Sequence, residues 1–260
     1  MRVATWNING VKARLPVLLE WLSQSSPDVV CVQEIKSVDE AFPREPIEEL
    51  GYTVETHGQK GFNGVALLSK RPFEEVARGL PGDEADEQAR YIEGIIATDR
   101  EPLRIASLYL PNGNPTDGPK FDYKLDWMDR LIAHAGRLRE VEEGFVLLGD
   151  YNVIPHPSDK YDDGDWEHDA LWKPQSRARL RALRGLGLRD AIECVGDEPG
   201  RYTFWDYQGG AWPRNKGFRI DHALLSPEAA DRLVSATIES HVRGWEKTSD
   251  HVPVVVELLD

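Results

Sequence analysis

The chain is built on short, unbroken apolar runs that each stop at a carboxylate, an amide or an imidazole. The plainest case is Phe145-Val146-Leu147-Leu148, followed at once by Gly149-Asp150-Tyr151-Asn152. An apolar run of this length suits a strand covered on both faces, and several such strands require a layered fold. Val3-Ala4-Thr5-Trp6-Asn7 and Val29-Val30-Cys31-Val32-Gln33-Glu34 repeat the pattern near the start. Ile220-Asp221 leads into Ala223-Leu224-Leu225, and Asp250-His251 leads into Val252-Pro253-Val254-Val255-Val256. Singly, an Asp, Asn or Gly at such a point is equally an ordinary turn residue. Five such ends, spread from residue 7 to residue 251, predict side chains converging at one edge of a sheet sandwich.

The remaining pattern fits that frame. Leu15, Leu18, Leu19 and Leu22 recur at helical spacing up to Pro27. A second helix is predicted over about 120–141, with Phe121, Leu125, Met128, Ile132 and Leu138 on one face. A third, basic helix is expected over 177–188, with its arginines on a solvated face. Further strands are expected at 50–55, 64–69, 90–97 and 103–110, and Arg71-Pro72 interrupts the pattern. Residues 79–89 read as exposed. The stretch 155–170 carries Asp159, Asp162, Asp163, Asp165, Glu167 and Asp169 without calcium-loop spacing, and reads as a solvated loop. Residues 201–219 are dense in aromatic and basic side chains. With no linker and no repeat, the reading is one domain over residues 1–260, two packed sheets with helices outside.

A formal net charge of −14 excludes blanket affinity for nucleic acid or anionic membrane. It leaves room for a polyanion at a site where a cation reverses the local field. The two cysteines, Cys31 and Cys194, form no metal or redox spacing, and Cys31 reads as a buried thiol. There is no signal-peptide pattern and no run long enough to span a bilayer, so the expected location is cytoplasmic.

Several converging carboxylates need a cation or a proton. Oxygen ligands with a single His favour a hard ion, Mg²⁺ or Mn²⁺, over zinc. Amide and phenol donors suit non-bridging phosphoryl oxygens, an Asp-His pair fixes an imidazole, and a separate Asp suits proton transfer. No thiol nucleophile, Gly-rich phosphate cradle or GxSxG elbow is present. Metal-assisted hydrolysis of a phosphoester is the natural reading.

The chain resembles the exonuclease III group of bacterial DNA-repair nucleases, in the endonuclease/exonuclease/phosphatase superfamily. The matching pieces are Trp6-Asn7-Ile8-Asn9-Gly10, Gln33-Glu34-Ile35-Lys36, His57-Gly58-Gln59-Lys60-Gly61, Tyr109-Leu110-Pro111-Asn112-Gly113, Gly149-Asp150-Tyr151-Asn152, Arg219-Ile220-Asp221 and Ser249-Asp250-His251, in the group's order. The resemblance implies a four-layer α/β sandwich of two mixed sheets, with the site at one end. It implies Glu34 as the principal Mg²⁺ ligand, with Mn²⁺ able to substitute, and Asn7 and Asp250 close to the ion. Tyr109 and Asn152 would contact the scissile phosphate, Asp150 would move a proton, and His251, paired to Asp221, would stabilise developing charge. It leaves open which of Asp150 and His251 activates water. Phe204, Phe218 and Ile220 would line a pocket for a baseless sugar, with Phe204 standing where many relatives carry Trp. Lys36, Lys60, Arg90 and Asn112 would hold the backbone of duplex DNA. The implied activity is incision 5′ to abasic sites and trimming of 3′ ends, by a monomer. A phosphoesterase for lipid or inositol phosphates and a non-enzymatic acidic scaffold are the rivals.

Overall fold

A computed structural model describes residues 1–162, 164–196 and 198–260; Asp163, one of the acids of the 155–170 stretch, lies outside the described residues. The strands are β1 (Arg2–Asn7), β2 (Val29–Gln33), β3 (Thr53–His57), β4 (Val65–Ser69), β5 (Phe73–Arg78), β6 (Tyr91–Ile96), β7 (Leu103–Tyr109), β8 (Gly144–Asp150), β9 (Arg189–Asp190), β10 (Asp221–Leu225), β11 (Leu233–Ile238) and β12 (Val254–Leu258). The helices are α1 (Val11–Ser25), α2 (Glu45–Glu48), α3 (Pro119–Glu140), α4 (Pro174–Gly185), α5 (Ala191–Val195) and α6 (Pro227–Ala230). Among the described residues the strands form two six-stranded sheets, ordered β11-β12-β1-β2-β4-β3 and β5-β6-β7-β8-β10-β9. Each sheet is mixed: β1 runs parallel to β2 and β7 parallel to β8, and the other pairings are antiparallel.

The unbroken apolar runs are explained by burial on both faces. In β2, Val29 and Cys31 point between the sheets, towards Ile105, Val146 and Leu148. Val30 and Val32 point outwards, under Leu18, Trp21 and Leu22 of α1. In β8, Val146 and Leu148 face the other sheet, whereas Phe145 and Leu147 pack under Trp127, Met128 and Leu131 of α3 and Leu180 and Leu183 of α4. Helix–sheet–sheet–helix layering follows, as expected. No described helix is long and apolar enough to cross a membrane.

Several details depart from the sequence reading. Strands β5 and β11 are not foreseen, because both are edge strands. Their residues are mostly exposed or half-buried, and a bulge interrupts each, so no apolar run marks them. The inner stripe of α3 runs through Phe121, Lys124, Trp127, Met128, Leu131 and Ala135; Leu125, Ile132 and Leu138 lie at its margin, and a lysine sits where an apolar residue is expected. Gly149 is not the start of a turn. It lies within β8, opposite Leu108 and His222, and a Cβ there would stand 1.9 Å from the Leu108 carbonyl oxygen. Only glycine lets the strands approach so closely beside Asp150.

The acidic stretch 155–170 is not simply solvated. Asp159 is buried and takes two hydrogen bonds from Arg219, Nε to Oδ1 at 2.9 Å and Nη2 to Oδ2 at 3.1 Å. Arg219 is only 2% exposed and also reaches Asp190 at 2.7 Å and Glu193 at 2.9 Å. Burial pushes the Asp190 carboxyl up, but Arg219 and His222 outweigh it and hold the group well below the usual carboxylate range. This network anchors the chain immediately before β10, and so the position of Asp221. Arg219→Met strands two buried carboxylates. Removing one partner of a buried ion pair costs about 3–5 kcal/mol, so a loss of that size is expected in urea unfolding. A loss below about 1 kcal/mol, the range of an exposed pair, would show the network to be dispensable.

Candidate active site

Strand direction brings the polar ends together. Asn7 ends β1, Gln33 ends β2 beside it, and Glu34 follows. Tyr109 ends β7 opposite Asp150, the last residue of β8, and Asp221 opens β10 opposite the same aspartate. His251 precedes β12, which runs antiparallel to β1, so it arrives at the same edge.

The side chains meet across the two sheets. Asn7 Nδ2 donates both to Glu34 Oε1 and to Asp150 Oδ2, each at 2.9 Å. His251 Nδ1 lies 2.9 Å from Asp221 Oδ2, and its Nε2 lies 3.7 Å from Asp150 Oδ2. Glu34, Asp150 and His251 each offer a ligand atom, and these atoms lie within 4.8 Å of one another. The two carboxylates are hard oxygen donors that suit a divalent cation, with the His251 ring beside them. Asp250 is not in this group of three: its Oδ1 accepts from Asn9 Nδ2 at 3.0 Å and from Ser249 Oγ at 3.3 Å. Glu34 stands at φ +50° and Asn152 at φ +47°. Asn tolerates that region, whereas Glu adopts it at a cost of about 1–3 kcal/mol, and such outliers gather at functional sites.

The electrostatics separate the acids. Burial drives the Asp150 carboxyl up to about 7, against the opposing pull of His251. Glu34 moves the other way: burial raises it, but Lys36 and Asn7 bring it below its ordinary value. Burial alone would lower His251, yet Asp221 and Asp150 draw it up to about 10. His251 is therefore an imidazolium at neutral pH, while Asp150 sits where a proton is easily gained or lost. Tyr109 is raised by burial and by the carboxylates of Glu34 and Asp150, so its phenol keeps its proton.

The expected backbone contacts are arranged unevenly. Lys36 caps Glu34, with Nζ 2.9 Å from Oε2. Arg90 lies over the Tyr109 ring at 4.9 Å and donates to the Tyr109 carbonyl at 3.2 Å, so it orients that tyrosine. Asn112 is exposed and donates to Asn152 Oδ1 at 3.1 Å, and Asn152 donates to the Leu110 carbonyl at 2.9 Å. Lys60 is exposed in the loop after β3. Tyr151 is fully buried, its hydroxyl donating to the Leu147 carbonyl.

Beside the site lies a cavity of about 610 Å³, with Phe204, Phe218, Trp166, Leu171, Arg214 and Lys216 in its wall. The Phe204 ring meets His251 at 4.9 Å and Phe218 at 4.6 Å, so the wall of the cavity adjoins the site. Ile220 does not line it. It is 2% exposed and packs beneath, against Ile154, Trp166 and Leu171. Trp166 and Leu171 escaped the sequence reading because the acids around them mark that stretch as solvent-facing. Thr203 also escaped: its Oγ1 accepts from the backbone N–H groups of Ile220 and Asp221, each at 3.1 Å, and no sequence pattern signals it.

Two sheets that place an amide, two carboxylates and an Asp-His pair around one point define a metal-dependent phosphoesterase type of site. The chain belongs to the Endonuclease/Exonuclease/phosphatase family, which it matches over residues 4–251. It is 34% identical to the exodeoxyribonuclease III of Haemophilus influenzae over 99% of both chains. It is 27% identical to the DNA repair nuclease APEX1 of Danio rerio, over 99% of this chain and 82% of that one. Its structure is similar to the 3′ phosphatase NExo from Neisseria, solved with a product DNA hairpin (TM-score 0.95, 33% identity, all of both chains). It is also similar to an AP endonuclease from Archaeoglobus fulgidus (TM-score 0.93, 32% identity, 99% of both chains).

The His251 pair carries a pH signature. Its folded value of about 10 stands above the ordinary 6.5, so the folded protein binds the proton more tightly than the unfolded chain. The stabilisation is fully present below pH 6.5 and is lost as pH rises towards 10. In EDTA, the urea-stability advantage of the wild type over His251→Gln should shrink between pH 7 and 10. Parallel profiles would contradict an imidazolium paired to Asp221.

Proposed function

We propose that the protein is a Mg²⁺-dependent DNA-repair phosphodiesterase that incises duplex DNA 5′ to abasic sites and trims nucleotides or blocking groups from 3′ ends. The observation that carries this reading is the ring of Phe204. It touches His251 and also lines a cavity walled by aromatic rings, with Asp165, Asp169, Asp206, Arg214 and Lys216 among its polar lining, so the imidazole adjoins a space suited to a sugar without its base. A lipid or inositol phosphatase has no need of that wall, and a scaffold has no need of the buried acids. The relatives named for exonuclease and AP endonuclease support the same substrate.

Glu34 would hold the ion on the side of Asp150, and Asn7 sets the spacing of the two carboxylates. The bound ion would polarise a phosphoryl oxygen and neutralise charge as it develops. The chain's own groups do the rest. The imidazolium of His251, backed by Asp221, faces the phosphate as a fixed positive charge. Tyr109 and Asn152 offer uncharged donors to the non-bridging oxygens, with Asn112 beside them. Asp150 is tuned near neutrality and is the group that moves a proton. Asp250 acts one step back, holding Asn9 and, through it, Lys36.

The test is a duplex carrying one abasic analogue, with Mg²⁺ and with EDTA. Incision on the 5′ side of the analogue, leaving a 3′-hydroxyl and abolished by EDTA, is expected. An intact duplex in Mg²⁺ would overturn the proposal. Asp150→Asn should keep its circular dichroism spectrum and lose roughly 10²–10⁴ in turnover, the span of a general acid–base group. Turnover at the wild-type rate would remove Asp150 from the chemistry.

A further inference from the structure

Lys124 lies on the inner stripe of α3, in line with Phe121, Trp127, Met128 and Leu131, and it is 0% exposed. An apolar side chain would fill that place without the penalty of burying a charge. The lysine instead directs its ammonium to three backbone carbonyls: Pro111 at 3.2 Å, Asn112 at 3.0 Å and Asn152 at 2.6 Å. An ammonium has three hydrogens and no acceptor, so three carbonyls satisfy it completely. Burial lowers its pKa to about 7, although Asp150 and Asp169 pull the other way.

The three carbonyls belong to the two segments that carry the phosphate-facing amides, and those amides are joined directly, Asn112 Nδ2 to Asn152 Oδ1 at 3.1 Å. The turn is shaped to admit the lysine. Gly113 stands at φ +88°, and a Cβ there would lie 2.5 Å from Lys124 Cδ and 3.2 Å from Ala170 Cβ. The stem of Lys124, the glycine and the paired amides form one assembly, reaching from the core of α3 to the edge of the site.

We propose that Lys124 is a positioning residue, whose ammonium sets the separation and orientation of Asn112 and Asn152 without touching the DNA. The proposal rests on the reading of these two asparagines as phosphate contacts. Its effect falls on the transition state, because a small displacement of two donors weakens their grip on the reacting phosphate. The remaining contacts with the duplex are left in place.

Lys124→Met keeps the volume and removes the three donors. On the abasic duplex, kcat should fall about 100-fold, the loss expected from a misplacement near 1 Å, with KM close to the wild-type value. Isotope-edited NMR should show displaced side-chain amide resonances for Asn112 and Asn152, and thermal melting should show a folded protein. Should the methionine variant fail to fold, Lys124→Gln, which retains a donor, is read in the same two ways. Unchanged amide resonances would overturn the proposal, as would wild-type kcat or a rise in KM with kcat preserved. The amide resonances are read without DNA, so a wild-type protein that leaves the duplex intact would count against the proposed function while the positioning role is still decided.

Discussion

One side-chain amide holds the site together. Asn7 Nδ2 gives one hydrogen to Glu34 and one to Asp150, and Asn7 Oδ1 accepts from the backbone of Asn9. Glu34 belongs to the first sheet and Asp150 to the second, so the amide is a polar stitch across an otherwise apolar interface. A second stitch lies deeper, where Gln33 donates to Ser107 Oγ and Ser107 donates to the Val32 carbonyl. Two carboxylates in such a place repel each other and resent burial. A shared donor separates them at a set distance, while their other oxygens are held by Lys36 Nζ (Glu34 Oε2, 2.9 Å) and by the Asn152 N–H (Asp150 Oδ1, 2.9 Å). The rest of the structure supplies the conditions for that contact: parallel β1–β2 and β7–β8 pairs to end Asn7, Gln33, Tyr109 and Asp150 at one edge, and Gly149 to let β7 close on β8.

The environment then assigns different tasks to chemically similar groups. Asp221 is fully buried, held by Thr203 through its backbone and committed to His251, which it keeps charged. Asp150 is buried against that same imidazolium and lifted towards neutrality. Glu34 remains an anion, capped by Lys36. Three carboxylates within one site thus differ in charge and freedom because their neighbours differ. Behind them, the Arg219 network pins the chain ahead of β10 and Lys124 pins the turns after β7 and β8. Buried basic side chains on two sides thus tie down the loops that border the site.

The strands that form the site were legible in the sequence for the reason that makes the site possible. A strand covered on both faces is apolar throughout, so the polar residue that ends it stands out, as at Asn7, Glu34, Asp150 and Asp221. Strands β5 and β11 lacked that contrast because water reaches one side of an edge strand. The acidic stretch misled because charge density reads as solvent exposure, whereas Asp159 is buried against Arg219 from sixty residues away, and Trp166 and Leu171 turn inward between the acids. Lys124 went unmarked for the same reason: a lysine on an amphipathic helix reads as solvent-facing, and only the fold reveals the three carbonyls beneath it. Ile220 followed from family resemblance as a pocket residue, but its place one residue before β10 turns it under the aromatic wall. Pairings between distant segments are the part of the site that spacing along the chain does not encode.

We propose that the carboxylates joined by Asn7 form a divalent-cation site. Anomalous difference density from crystals grown with Mn²⁺ tests it most directly. An ion is expected in direct coordination with Glu34, on the side of Asp150 and His251, and it should be lost in Glu34→Gln crystals. An ion bound away from Glu34, or undiminished density in the variant, would contradict it.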